Sequence, residues 1–419
     1  MPNTLAAWLS YIESLHPKSI AMGLERVKHV IDCLHCEPKF PIITVAGTNG
    51  KGSTCAMLEQ IYKQAGYQVG CYTSPHLLRY NERVRINGNE VSDEALCLAF
   101  AAVEAARLET AKQDMDGVAI QLTYFEVGTL AAIWHFMQTG IDIAILEIGL
   151  GGRLDAVNAF EPSCAIVTSV DLDHQEFLGD TRESIGFEKA GVFRKSIPAI
   201  CGDANPPATL IAYAKDIQAD FKCIQRDFSY AVVGESWEYI AEKIVYRLPM
   251  PALKGSYQLS NAACAVTAIE ALQSKLPVSN NAIASAMRQV TLAGRFQTVA
   301  NLNSPKVILD VAHNPHAAHA LAENLKASKN QNGRTFAVFA MLADKDIHGV
   351  VGALKNEIDA WYIASIDNVR GASATELANI ITEAAPNAVY KTFENAADAY
   401  LQASIDIEAC IDSSENDKI

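Results

Sequence analysis

The chain has 419 residues, half of them hydrophobic and a fifth charged, a composition that excludes wholesale disorder and leaves room for two or three domains. With 34 Lys and Arg against 48 Asp and Glu, the net charge is −14. The broad attraction that nucleic-acid binders use is therefore missing, and an anionic ligand has to be met by a local cluster of donors. Ten cysteines are too dispersed for a disulfide scaffold and read as reduced thiols. Cys33 and Cys36 have C-x-x-C spacing, but no second pair follows to complete a zinc site. No Lys or Arg precedes Lys18, and the longest uncharged apolar stretch, around 95–103, is too short for a bilayer. A cytoplasmic chain with no membrane contact is the expectation.

Leu5, Trp8, Leu9, Ile12 and Leu15 repeat at helical spacing, and Pro17 stops that helix. Residues 24–34 repeat the apolar spacing. Residues 41–46, Pro-Ile-Ile-Thr-Val-Ala, read as a short buried strand that runs into Gly47-Thr-Asn-Gly-Lys-Gly-Ser53. A helix is expected from about Thr54 to Gln64 and a strand from Gln68 to Thr73, which makes a βαβ unit and a parallel sheet. Residues 84–91 carry an Asn-Gly turn between alternating residues, a hairpin signal. Further strands are expected at 141–148, 164–170 and 198–201, and an alanine-rich helix at 260–272 with Asn261 in its first turn. Near residues 293–296 the pattern restarts, with strands at 306–311, 335–342, 360–366 and 389–393 between Ala- and Leu-rich helices. The fold class expected is α/β: a P-loop-type parallel-sheet ATPase domain over 1–294, a hinge at about 292–300, and a smaller Rossmann-like α/β domain over 295–419.

The stretch Gly47, Thr48, Asn49, Gly50, Lys51, Gly52, Ser53 carries the most chemistry. Its glycines let backbone N–H groups approach phosphate oxygens, the following helix adds its positive end, and Lys51 supplies a point charge for the β/γ-phosphates. The pattern G-x-x-x-x-G-K-[ST] is not met, because Val45 stands at the first glycine position and Gly52 at the hydroxyl position. The usual Mg²⁺ hydroxyl is displaced by one place, so other ligands are sought at the carboxyl ends of the strands, where open parallel sheets bind. Four candidates stand there: Ser74 in Tyr72-Thr-Ser-Pro-His76, Glu147 inside an apolar strand, His174 in Asp171-Leu-Asp-His174, and Lys189 in Glu188-Lys-Ala-Gly-Val-Phe193. A carboxylate in an apolar strand is costly unless paired or metal-bound. Arg79, Arg83 and Arg85, at the predicted hairpin, read either as a solvated charged face or as attraction for substrate carboxylates.

These motifs resemble the bifunctional folylpolyglutamate synthase/dihydrofolate synthase family of the Mur ligase superfamily. The stretches that carry the resemblance are GTNGKGS (47–53), TSPHL (73–77), LTYFE (122–126), EIGLGGRLDAVN (147–158), SVDLDHQEFLG (169–179), ESIGFEKAGVF (183–193), GRFQ (294–297) and DVAHNPHA (310–317). The resemblance implies an ATP-dependent amide-bond ligase. ATP would phosphorylate the carboxylate of dihydropteroate or of a reduced folate, and L-glutamate would attack the acyl phosphate. It further implies that Gly47 to Ser53, Asn261, Arg295 and Asp310 hold ATP. Ser74, Glu147 and His174 would ligate magnesium, and a carbamylated Lys189 would ligate a second magnesium. Lys51, Lys189, His174 and Arg295 would be the catalytic set. Pterin would sit among Ser19, Ile20, Ala21, Met22, Thr123, Tyr124, Phe125, Glu126, Leu154, Asp155 and Ala156, with His313 placing the incoming glutamate. Small molecules are the only partners implied, with no nucleic acid and no membrane, and a monomer suffices. Members of the family continue beyond the region of Lys418 with another strand, a Gly-Ser-Phe segment and a helix, so the resemblance implies a C-terminal domain shortened at its end.

Two other readings compete. A cell-wall Mur ligase acting on a nucleotide-sugar peptide would share the glycine loop but should lack the 122–126 motif. An ATP-gated binding module would bind nucleotide without releasing phosphate.

Overall fold

A computed structural model of the chain describes residues 2–409 except Ser19, 114–116, Lys243, Ser256, 300–305 and 330–332. The C-terminal stretch from Asp412 to Ile419 and the pterin candidate Ser19 thus lie outside the described residues. The chain divides into two units, one of residues 1–252 and 259–290, the other of 253–258 and 291–419.

The first unit is organised by an eight-stranded sheet. Its strands in chain order are β1 (Ile42–Ala46), β2 (Val69–Tyr72), β3 (Val84–Ile86), β4 (Asn89–Glu90), β5 (Ile143–Glu147), β6 (Cys164–Val167), β7 (Pro198–Cys201) and β8 (Asp220–Cys223). Across the sheet they lie in the order β4-β3-β2-β5-β1-β6-β7-β8. From β2 to β8 every neighbouring pair is parallel, and β3 and β4 add an antiparallel edge. Ile-Ile-Thr-Val-Ala in β1 and Ile-Ala-Ile-Leu-Glu in β5 are buried at every position. That is the signature of parallel strands covered on both faces, where an alternating pattern would leave one face wet. Helices Lys51–Gln64 and Tyr124–Thr139 pack on the sheet.

The βαβ expectation holds for direction but not adjacency, since β5 lies between β1 and β2. The helix after the glycine loop begins at Lys51, not Thr54, because Gly50 at φ +87° caps it. The helix expected at 260 begins three residues earlier, at Tyr257, which moves Asn261 into its second turn. The Asn-Gly hairpin forms as read: Asn87 and Gly88 take positive φ, and the Asn87 side-chain oxygen accepts the Val69 N–H at 2.8 Å. An antiparallel sheet of β9 (Ser229–Val233), β10 (Ser236–Ala241) and β11 (Ile244–Pro249) was not anticipated from the sequence. Cys33 and Cys36 sit at the end of helix Glu25–Leu34, and the nine cysteines that can be described are free thiols.

The second unit pairs β12 (Gln297–Val299) with β13 (Val307–Leu309) antiparallel. Its main sheet is the parallel set β14 (Phe336–Phe339), β15 (Ala360–Ala364) and β16 (Tyr390–Phe393). Helices Ile347–Leu354 and Ala374–Ala384 close the core around Trp361 and Ile363, and helix Ala396–Glu408 covers Tyr362 and Ala364. No helix among the described residues is long and apolar enough to cross a membrane.

Candidate active site

Four neighbouring strands, β2, β5, β1 and β6, end side by side. Strands lie about 4.8 Å apart, so these ends bring together segments that are 123 residues distant in the chain, as Thr48 and Asp171 are. β1 delivers the glycine loop, β2 delivers Ser74, β5 ends on Glu147, and β6 runs into the loop of His174.

The glycine loop is clamped by residues just after β6. The Thr48 N–H donates to the Ser169 carbonyl at 2.8 Å and the Asn49 N–H to Ser169 Oγ at 3.0 Å. Thr168 Oγ1 donates to the Asn49 carbonyl at 2.6 Å. Thr48 Oγ1 donates to the Asp171 carbonyl at 3.0 Å and accepts its N–H at 2.9 Å. Two glycines are required by contact. At Gly47, with φ +145°, an added Cβ would lie 1.9 Å from Thr168 Oγ1, and at Gly50 it would lie 2.4 Å from Asn261 Oδ1. The second contact places Asn261 against the loop. Lys51 Nζ donates to the carbonyls of Gly47 and Thr48 at 3.0 and 3.1 Å. Gly52 and Ser53 lie in the first helical turn. Thr168, Ser169 and Asp171 escaped the sequence reading. Their signal was a Thr-Ser pair directly after an apolar strand.

Glu147 is buried, and its Oε2 accepts the Ser74 N–H at 3.0 Å. His174 has φ +50° and opens the short helix Gln175–Leu178. Its loop is braced by Asp203, whose Oδ2 accepts the N–H of Val170 at 2.8 Å and Arg182 Nη2 at 2.9 Å. Carboxylate, hydroxyl and imidazole, together with nucleotide oxygens, form a donor set that suits a hard divalent cation. Among the described residues no three His, Cys, Asp or Glu side chains converge to hold a metal.

Lys189 lies in the last turn of helix Arg182–Ala190 and is buried. Its amine is pushed down to about 7, first by burial and then by the Lys51 charge, while Asp173 and Asp155 pull the other way. A neutral lysine near pH 7 is what carbamate formation requires. Asp155 is equally buried. Burial pushes its carboxyl up to about 7 against the N–H groups of Leu150, Val157 and Gly149 and the Lys51 charge. Lys51 acts electrostatically on both groups, so the glycine loop, Lys189 and Asp155 form one cluster.

The segments expected to hold pterin meet at this cluster. The Gly23 N–H donates to the Leu154 carbonyl at 3.3 Å. Arg26 Nη2 donates to the Ala21 carbonyl and to Glu126 Oε1, both at 2.8 Å. Ile20 is exposed, and the Met22 methyl lies near Gly151. Thr123 and Glu126 form a capping box, with the Thr123 N–H on Glu126 Oε2 at 2.7 Å, so their side chains serve the helix. Phe125 packs on Gly149, where a Cβ would lie 2.7 Å from its ring, and stands 5.9 Å from the Tyr72 ring. Tyr124 meets Tyr80 edge-on at 5.7 Å. Ala156 is buried at the start of a short 3₁₀ turn capped by Asp155.

The hairpin arginines do not form one charged face. Arg85 is mostly buried on Glu59 at 2.9 Å, Arg79 pairs with Asp93 at 3.2 Å, and Arg83 lies against tyrosines. In the second unit, Asp310 Oδ2 accepts the Phe296 N–H and its Oδ1 the Ala312 N–H, both at 2.8 Å. Burial raises the Asp310 carboxyl against these bonds and against the charges of Arg295 and His313. Arg295, Asp310 and His313 are thus neighbours within that unit.

A glycine loop at the centre of a parallel sheet, a buried carboxylate and a serine on the adjoining strand ends and a second α/β unit define an ATP-dependent ligase of the Mur type. Two family models agree: the Mur ligase middle domain matches residues 45–269, and the Mur ligase glutamate ligase domain matches residues 294–410. The chain is 45% identical over 407 residues to the dihydrofolate synthase/folylpolyglutamate synthase of Escherichia coli (strain K12), spanning 97% of this chain and 90% of that one. The structure of E. coli FolC in complex with DHPP and ADP superposes with a TM-score of 0.90 at 43% identity, covering 100% of this chain and 95% of that one. A bifunctional folylpolyglutamate synthase/dihydrofolate synthase with Mn, AMPPNP and L-glutamate bound gives a TM-score of 0.86 at 41% identity, covering 99% and 94%. The chain belongs to the dihydrofolate synthase/folylpolyglutamate synthase family, and its tie to the cell-wall enzymes is the wider Mur relationship alone.

Proposed function

We propose that this ATP-dependent ligase adds L-glutamate to dihydropteroate, giving dihydrofolate, and to reduced folates, lengthening their glutamate tail. The observation that carries the reading is the meeting of the glycine loop, Lys189 and Asp155 at one electrostatic cluster beside the strand ends of Ser74 and Glu147. Residues 1–294 form the ATP domain with the pterin site, and 295–419 the glutamate-ligase domain.

A carboxylate oxygen of the pterin-linked acid attacks the γ-phosphorus of ATP, ADP leaves, and an acyl phosphate forms. The glutamate amine attacks the acyl carbon, phosphate departs with the bonding pair, and the nitrogen loses its proton. Lys51 and the opening N–H groups of its helix hold the β- and γ-phosphates and draw off their charge. Asn261 borders that loop, and Arg295 and Asp310 are assigned to the nucleotide. Ser74, Glu147 and His174 would hold a first magnesium and carbamylated Lys189 a second. Bound there, magnesium supplies Lewis-acid neutralisation of the transferring phosphoryl group. The neutral Lys189 amine takes up CO₂ and releases one proton to become the carbamate. Phe125, the backbone of residues 20–22 and the turn at 154–156 wall the pterin, and His313 positions L-glutamate. The enzyme works as a monomer in the cytoplasm, without nucleic-acid or membrane partners.

The test is phosphate release with ATP, Mg²⁺ and L-glutamate, comparing dihydropteroate, tetrahydrofolate and a muramyl peptide substrate. Release with the first two alone is expected. Release with the muramyl substrate, or with none, overturns the proposal.

A further inference from the structure

Arg83 differs from its neighbours on the hairpin. Arg79 and Arg85 each sit on a carboxylate, whereas no Asp or Glu among the described residues forms an ion pair with Arg83. Its guanidinium lies 5.4 Å from the centre of the Tyr80 ring and 5.6 Å from that of Tyr124. Its Nε donates to His76 Nδ1 at 2.8 Å. The Arg83 carbonyl accepts the Thr73 N–H at 2.9 Å, which ties it to the strand end that delivers Ser74.

A cation held by aromatic faces and an accepting imidazole nitrogen keeps its field for a ligand, because no fixed counter-ion among the described residues screens it. The planar fork matches a carboxylate with two parallel hydrogen bonds. The place is also suited: Tyr124 and Phe125 are consecutive, and Phe125 faces both Tyr72 and Gly149 on the candidate pterin wall. Dihydropteroate brings one carboxylate, the one that is phosphorylated. A folate that ends in glutamate brings two, and the one that does not react remains an anion to be met on a protein of net charge −14. We propose that Arg83 receives this non-reacting carboxylate, and so sets the preference for glutamate-terminated substrates over dihydropteroate. The assignment rests on the reaction proposed above.

The experiment measures KM and kcat for tetrahydrofolate and for dihydropteroate in the wild type, Arg83→Gln and Arg83→Lys. Loss of a charge-assisted bond should raise the ratio of the tetrahydrofolate KM to the dihydropteroate KM roughly ten- to hundredfold in Arg83→Gln, and less in Arg83→Lys. A folate analogue whose non-reacting carboxylate is a carboxamide gives a second reading on the wild type, where it should bind correspondingly more weakly than the acid. An unchanged KM ratio, or equal wild-type binding of amide and acid, overturns the role of Arg83 while leaving the reaction intact. Failure of the wild type to turn over dihydropteroate overturns the reaction and the assignment with it.

Discussion

The loops after β1 and β5 look alike as sequence, since both are rich in glycine and both follow a buried apolar strand. They are built in opposite ways. The loop at Gly47–Gly50 is held from outside, by hydroxyls and carbonyls of Thr168, Ser169 and Asp171. The loop at Gly149–Ala156 is held from inside: Asp155 Oδ2 accepts the N–H groups of Gly149 and Leu150 at 3.1 and 2.9 Å, and Oδ1 accepts that of Val157 at 3.0 Å. A turn whose N–H groups already converge on its own carboxyl has its acceptor built in. The loop braced through other atoms keeps a helix N-terminus and a lysine for phosphate. Glycine content therefore does not separate the two loops, and the origin of the brace does.

Four substitutions sharpen that contrast, beginning with the greatest effect. Lys51→Ala should lower kcat for phosphate release on the order of 10²–10³-fold, as loss of a transition-state charge partner does, with the melting temperature nearly unchanged. A wild-type rate would show that phosphate lies elsewhere. Lys189→Ala should lose most activity and regain part of it when a short carboxylic acid is added in place of the carbamate. A variant that is fully active without rescue refutes the carbamate.

Gly47→Ala puts a Cβ against Thr168 Oγ1 and an L-residue at φ +145°. It should destabilise by roughly 1–3 kcal/mol from conformation alone, read by denaturant unfolding, and raise the KM for ATP. Unaltered stability would mean that the clamp yields freely. The least effect is expected for Asp155→Asn, and it depends on pH. The folded carboxyl titrates near 7, above its ordinary 3.8. Its contribution to stability is therefore complete below about pH 4 and is lost as pH rises through about 7. The stability of the wild type relative to Asp155→Asn should fall across that window. Parallel pH profiles would mean that Asp155 titrates like an ordinary carboxyl.

Much of the first unit was legible because its elements announce themselves locally. Trp8 and Ile12 fall on one helical face, β1 is an unbroken apolar run, and Asn87-Gly88 can close a tight hairpin with little strain. Boundaries were less legible. The helix after the glycine loop starts at Lys51 because Gly50 adopts a positive φ there, a choice glycine leaves open until Asn261 packs against it. The antiparallel sheet β9–β11 is not legible because none of its strands is apolar throughout and they are partly exposed, as at Val232 and Val245. The arginines of the hairpin could not be told apart, since a charge reveals its partner only when a distant segment such as Glu59 or Tyr124 arrives beside it.

The sequence by itself determined the alternation of strand and helix, the glycine loop with its lysine, and the chemical types of the ligands, because each follows from the covalent preferences of a few consecutive residues. Only tertiary structure decided that β5 inserts between β1 and β2, and hence that Glu147 ends beside Ser74 and the glycine loop. It also decided that Lys189 and Asp155 share one buried cluster with Lys51. Strand order is settled by how whole buried faces pack, and a carboxyl or amine such as Asp155 or Lys189 shifts because distant segments close over it and take it out of water.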